Sequence, residues 1–170
     1  GLDVQELSRL ELAHRKYIWK HIQKIRNTPG YEKVYLMETA PQLGVRITRV
    51  LKGENAIRKT DHDAGKRFKD VIAVGGVTGH NRKNCPNPRP WFVPYGALVP
   101  QTVDNILASG RCISFDHKMT EWVRLIPNCF TTGHAAGVAA AVAVQSGRRP
   151  RDVDVARVQK ILRSQNAYLG

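Results

Sequence analysis

Apolar positions recur at helical spacing over residues 3–27, where Leu7, Leu10, Tyr17, Ile18, Ile22 and Ile25 share a face. Asp3 stands where an N-cap belongs and Glu6 follows three residues later, as in a capping box. Thr28-Pro29-Gly30 ends the pattern. Two strands are predicted next, Val34 to Thr39 and Val45 to Leu51, around a turn at Pro41 to Gly44. Thr60 opens a short helix through Arg67, and Phe68 to Val74 is apolar enough for a buried element. From Gly75 to Pro90 glycine, asparagine and proline dominate, and the reading is a long loop. Trp91 to Val99 reads as a strand bent by Pro94, and Ile106 to Ser109 as a short strand ending on Gly110. A helix from about Asn128 to Gln145 stops at Ser146-Gly147, and a last one starts near Asp152 or Asp154 with Val155, Val158, Ile161 and Leu162 on one side. Strands and helices are both expected along the chain, and the fold expectation is α/β.

Composition narrows the class. The chain has 170 residues, 42% hydrophobic and 24% charged, which suits a folded domain with a real core. No apolar run approaches the roughly 18 residues of a membrane span. Lys plus Arg total 27 against 14 acidic residues, a net charge of +13, which favours an anionic partner or ligand. The bases are dispersed, with one modest cluster at Arg148, Arg149 and Arg151, and neither a basic arm nor aromatic interleaving marks a nucleic-acid surface. A basic nucleic-acid-binding module therefore ranks last among the readings. Cys85, Cys112 and Cys129 are widely spaced with no C-x-x-C pair, which argues for free thiols in a reducing, cytoplasmic setting and against a metal site.

The stretch from Asn105 to Gly137 carries the chemistry. A strand ending on glycine, followed by a helix opening with small residues, sets main-chain donors and a positive dipole end beside a crevice. Pro127 and Asn128 are good helix starters, so the amides of Cys129, Phe130 and Thr131 are expected to need a partner. His117 is a candidate for acid–base chemistry by its residue type alone. His134, one turn into the helix, is expected to pack or to lie near a ligand.

Five blocks in order, Thr39 to Arg49, Phe68 to Ala73, Val93 to Pro100, Asp104 to Ser114 and Gly133 to Gly137, make almost the whole chain resemble the C-terminal portion of an FAD-dependent oxidoreductase of the fumarate-reductase-like and glutathione-reductase-like group. The resemblance implies a two-domain flavoprotein fold of which this is the C-terminal part: residues 1–100 as a substrate-side region with a mixed sheet, 101–170 as the closing strand and helices of the FAD-binding domain. It implies FAD as cofactor, with Gly110, Arg111, Asn128, Cys129, Phe130, Thr131 and Gly133 as contacts. Gly110 would admit close backbone approach, Arg111 would sit near phosphate or ribityl oxygens, and the 129–131 amides would face the flavin pyrimidine edge. Arg124 is similar in place to an arginine that holds substrate, an anionic one included.

Two departures stand out. Ile47, between Arg46 and Arg49, replaces a glutamate common in the group, and the Gly79 to Cys85 loop is unlike the usual pattern; His80 and Cys85 alone make no metal site. No G-x-G-x-x-G follows an early strand, so the half gripping the adenosine diphosphate is expected from a partner chain or a longer polypeptide. A non-catalytic assembly subunit is the competing expectation.

Overall fold

The computed structural model describes residues 3–76 and 89–170. Its contacts form two compact units, Gly1–Thr48 and Arg49–Gly170. In the first, helix α1 spans Val4–Arg26 and Asp3 caps it, its carboxylate accepting the Gln5 amide at 2.8 Å. Past the Asn27 C-cap the chain turns at Gly30, whose φ of +89° suits only glycine comfortably. Residues 33–40 and 43–48 then run without a ladder, so the two strands predicted there do not form. The reason is physical: an isolated extended segment leaves its amides and carbonyls to water unless a neighbouring strand takes them. Arg15 anchors this stretch to α1 through Glu11, the Thr39 hydroxyl, and the Ala40 carbonyl at 3.1 Å.

The second unit holds the core. Helix α2 (Lys59–Asp63) precedes strand β1 (Val71–Gly75), which pairs antiparallel with β2 (Trp91–Pro94) in the register Val74 to Phe92 and Gly75 to Trp91. The Trp91 ring presses on Gly75, where an added Cβ would come within 2.1 Å of it. Beyond Pro94 the chain leaves the ladder for a 3-10 turn, Tyr95–Ala97, in keeping with the bend expected of that proline. Short helix α3 (Thr120–Val123), long helix α4 (Ile126–Ser146) and α5 (Val155–Ser164) follow. Helix α4 packs on β1 and α5, and Gln159 of α5 donates to the Lys69 and Val71 carbonyls at 2.9 and 2.8 Å. Gly147 ends α4 at the expected stop, in the left-handed conformation, and Asp154, one of the two starts the sequence offered, caps α5.

The strand expected at Ile106–Ser109 is absent: one bond from the Ala108 amide to the Leu98 carbonyl holds it, and Ile106 is exposed. The chain is α/β in the plain sense of helices with a small two-stranded sheet. The predicted loop, with His80 and Cys85, falls largely outside the described residues. Among those described, no helix is long and apolar enough to cross a membrane, and no group of three or more His, Cys, Asp or Glu is placed to hold a metal. The arginine cluster is met by carboxylates: Arg149 pairs with Asp152 at 2.6 Å and Asp104 at 3.1 Å, and Arg151 with Glu54 at 3.3 Å. Arg151 Nε also lies 2.5 Å from Asp104 Oδ1, outside hydrogen-bond geometry, so that contact is ionic only.

Candidate functional site

Helix α4 begins at Ile126, with Leu125 as an N-cap that supplies no side-chain bond and Pro127 in the first turn. The start is two residues earlier than the sequence pattern suggested, and this corrects the expected donors. The Cys129 amide donates to the Leu125 carbonyl at 3.0 Å, and those of Phe130 and Thr131 continue the helical ladder. The first-turn groups without an intrahelical acceptor are the amides of Ile126 and Asn128, since Pro127 has none. Proline in the first turn, where its missing N–H costs nothing, was the sequence signal for this earlier start.

Gly110 sits beside this helix in a 3-10 turn, Gly110–Cys112, with φ of +73°. A Cβ there would only touch Cys129 at 3.7 Å, so the backbone conformation, and not crowding, selects glycine. Its amide donates to the Thr132 hydroxyl at 3.0 Å, and that hydroxyl lies 3.0 Å from the Asn128 and Cys129 carbonyls. Thr132, not singled out from sequence, is thus the peg that fixes the glycine turn to α4. Its position in a helix interior looks like ordinary packing until the turn is seen against it.

Asn128 is buried, and its side chain serves the protein itself. Its NH2 donates to the Trp122 carbonyl at 2.7 Å and the Gly76 carbonyl at 3.3 Å, while its Oδ1 accepts the Gly76 amide at 3.3 Å. One amide therefore joins the end of β1, α3 and the start of α4.

Arg111 is exposed, and its charge reaches Cys129. Burial pushes the Cys129 thiol upward, Arg111 works against that, and the nearby Cys112 adds to it. Cys112 and Cys129 are free thiols. Around this point the surface is apolar: Ile126 is 71% and Phe130 74% exposed. Along the same helix Val144 is exposed and Gly133 and Gly137 face open space, so an outward apolar strip runs the length of α4.

The two candidate catalytic residues are placed differently. Arg124 is the C-cap of α3, just ahead of α4, and its Nε donates to Glu121 at 3.2 Å while Nη2 engages the other carboxylate oxygen. Its guanidinium is held by a bidentate ion pair, and Nη1 has no hydrogen bond among the described residues. His117 is exposed on the 3-10 turn His117–Met119, whose cap is Asp116 and whose Met119 is buried, and its ring makes no hydrogen bond among the described residues. His134 reaches Gln165 at 2.6 Å, joining α4 to the end of α5.

The site thus gathers Gly110, Arg111, Cys129 and the start of α4, with Arg124 at its border. A family model described as FAD dependent oxidoreductase matches residues 1–162. No curated protein and no solved structure matches. By that match, which covers nearly the whole sequence, the chain belongs to the FAD-dependent oxidoreductase family, whose cofactor is FAD.

Proposed function

We propose that this chain is the carboxyl-terminal part of an FAD-dependent oxidoreductase, completing a flavin site whose adenosine-diphosphate grip lies on another stretch of polypeptide or on a partner chain. The observation that carries this reading is the outward side of α4, where Ile126, Phe130 and Val144 are exposed in a helix that is apolar all round. Burying such side chains is favourable by roughly 1.5–3 kcal/mol each, so a covering surface is expected. Residues 1–100 then serve the substrate side and 101–170 close the cofactor domain. The 106–109 segment, exposed at Ile106 and Ser109 and without a strand partner among the described residues, is available to extend a sheet supplied by that other half.

The residues present fit FAD. An apolar surface of Ile126 and Phe130 at the positive end of a 21-residue helix, with a left-handed glycine turn and an exposed guanidinium beside it, suits a flat ring and a polyanionic tail. Gly110, Arg111, the open main-chain amide of Asn128, the side-chain surface of Cys129, Phe130 and Thr131, and Gly133 would hold the group. Bound FAD supplies hydride transfer at its N5 position. The helix dipole favours negative charge at its end, and the Thr132 peg keeps the Gly110 turn from shifting as that charge changes. Arg124 would bind the carboxylate or carbonyl oxygen of a small, possibly anionic substrate through Nη1, its fork held in place by Glu121. His117 is a solvent-side candidate for proton exchange. The free thiols suit a cytoplasmic setting.

A second reading, a non-catalytic subunit that retains the fold, is favoured by the same Glu121 pair, which already satisfies the Arg124 fork. Arg124→Ala in the assembled flavoprotein separates them. Turnover falling about 100-fold or more with flavin absorbance retained supports the catalytic role; unchanged turnover removes Arg124 from it. The chain purified alone is expected to carry no stoichiometric flavin, and a yellow one-to-one preparation would contradict the need for a second half.

A further inference from the structure

We propose that one water molecule is a built-in part of the second unit, bound between Trp91 and Asp61. The Trp91 indole is 1% exposed, and its Nε1 donor is buried with no hydrogen-bond acceptor among the described residues. Asp61 Oδ2 is a buried acceptor with no donor among them: its sister oxygen takes Lys66 at 3.0 Å, and the Arg58 guanidinium stops 3.9 Å from Oδ2. These two atoms are complementary, and both residues line the same small cavity, walled on its apolar side by Ile57, Phe68 and Phe92.

Volume and chemistry together select the occupant. The cavity offers ≈ 10 Å³ to the centre of a water molecule, close to the roughly 10–15 Å³ that one buried water requires. No larger ligand fits. The occupant must accept from an indole N–H and donate to a carboxylate. An ammonium or metal cation cannot accept, and an anion cannot approach Oδ2. Water does both and leaves no charge behind.

The position of this water matters to the fold. It ties α2 to the first residue of β2, next to His62, whose ring nitrogens lie 3.1 Å from Asp63 Oδ1 and 3.2 Å from the Arg89 carbonyl. His62 in turn meets the Trp122 ring edge-on at 4.6 Å, and the Trp122 carbonyl is an acceptor of Asn128. The water thus belongs to the polar seam that runs from α2 to the start of α4.

Water-selective nuclear Overhauser spectroscopy on the full, ¹⁵N-labelled chain tests the assignment. The Trp91 indole proton should show a cross-peak to a long-lived water, while the exposed Trp19 indole should show only fast solvent contact. A Trp91 indole without the long-lived cross-peak overturns the proposal. Independently, Trp91→Phe and Asp61→Asn should couple: the loss in folding equilibrium constant caused by the second change should shrink about fivefold in the background of the first. Additive losses with an unaltered fold would overturn it as well.

Discussion

The two units of this protein reach order by different routes. In Gly1–Thr48 a 23-residue helix stands with no buried residue, secured by its Asp3 cap, its basic last turn and the Arg15 contacts to Thr39 and Ala40. In Arg49–Gly170 the helix of similar length, α4, has no side-chain cap and is rich in glycine and alanine, poor in helix-making charge pairs. It is held by what it touches: β1, α5, and the bonds of Asn128 and Thr132. One helix is specified by its own sequence, the other by its neighbours. A helix built on neighbours can lend its outer side to a ligand, because its position is already fixed from behind.

Gly75→Ala should give the largest effect, since the new Cβ would meet the Trp91 ring at 2.1 Å. We expect a loss of about 3 kcal/mol, read as a urea midpoint shift in the fluorescence of Trp91 and Trp122, with Trp19 in the first unit largely unresponsive. A uniform response of all three tryptophans would break the contrast between the units. Next, Asn128→Ala removes three hydrogen bonds and leaves the Gly76 and Trp122 groups unpaired. A loss of about 2 kcal/mol is expected, together with weaker flavin retention in the assembled protein. A variant as stable as the parent would return Asn128 to the role of a simple ligand contact.

Asp3→Ala should cost about 1 kcal/mol, confined to α1 and visible as faster amide exchange in its first turn. If it destabilised the second unit equally, the first would not be locally specified. The smallest effect concerns Tyr95, whose hydroxyl donates to the Pro150 carbonyl at 2.6 Å. Burial, helped by Glu54, raises its pKa from 10.0 to about 12, so the neutral phenol is the form the fold prefers. The resulting stabilisation is complete below pH 10 and lost as the pH rises through 12. Stability should not vary with pH through this group near neutrality, and Tyr95→Phe, beyond the loss of its bond to Pro150, should flatten the alkaline limb of a stability titration.

Much of this was legible in the chain. The caps at Asp3 and Asp154, the stop at Gly147, the bend at Pro94 and the buried faces of α5 follow from local rules, because each depends on atoms only a few residues apart. The strands expected at residues 34–39, 45–51 and 106–109 did not form, because a strand is a property of two segments and periodicity reports only one. The site divides the same way. Gly110 was singled out for close backbone approach, whereas its φ of +73° is what selects glycine there. The open amides were misplaced by two or three residues, since helix starts without a side-chain cap leave a weak trace. Thr132 carried no visible signal, because its role exists only where the Gly110 turn comes against it.

The sequence by itself therefore determined that α1, α4 and α5 are helical, where α1 and α4 stop, and the family to which the order of its motifs belongs. Only the tertiary structure decided that Asn128 faces inward to join β1, α3 and α4, that Arg124 is paired with Glu121, and that α4 keeps an apolar side outward. These are long-range choices, set by which hydrogen-bonding groups would otherwise be buried without partners, and no local pattern encodes them.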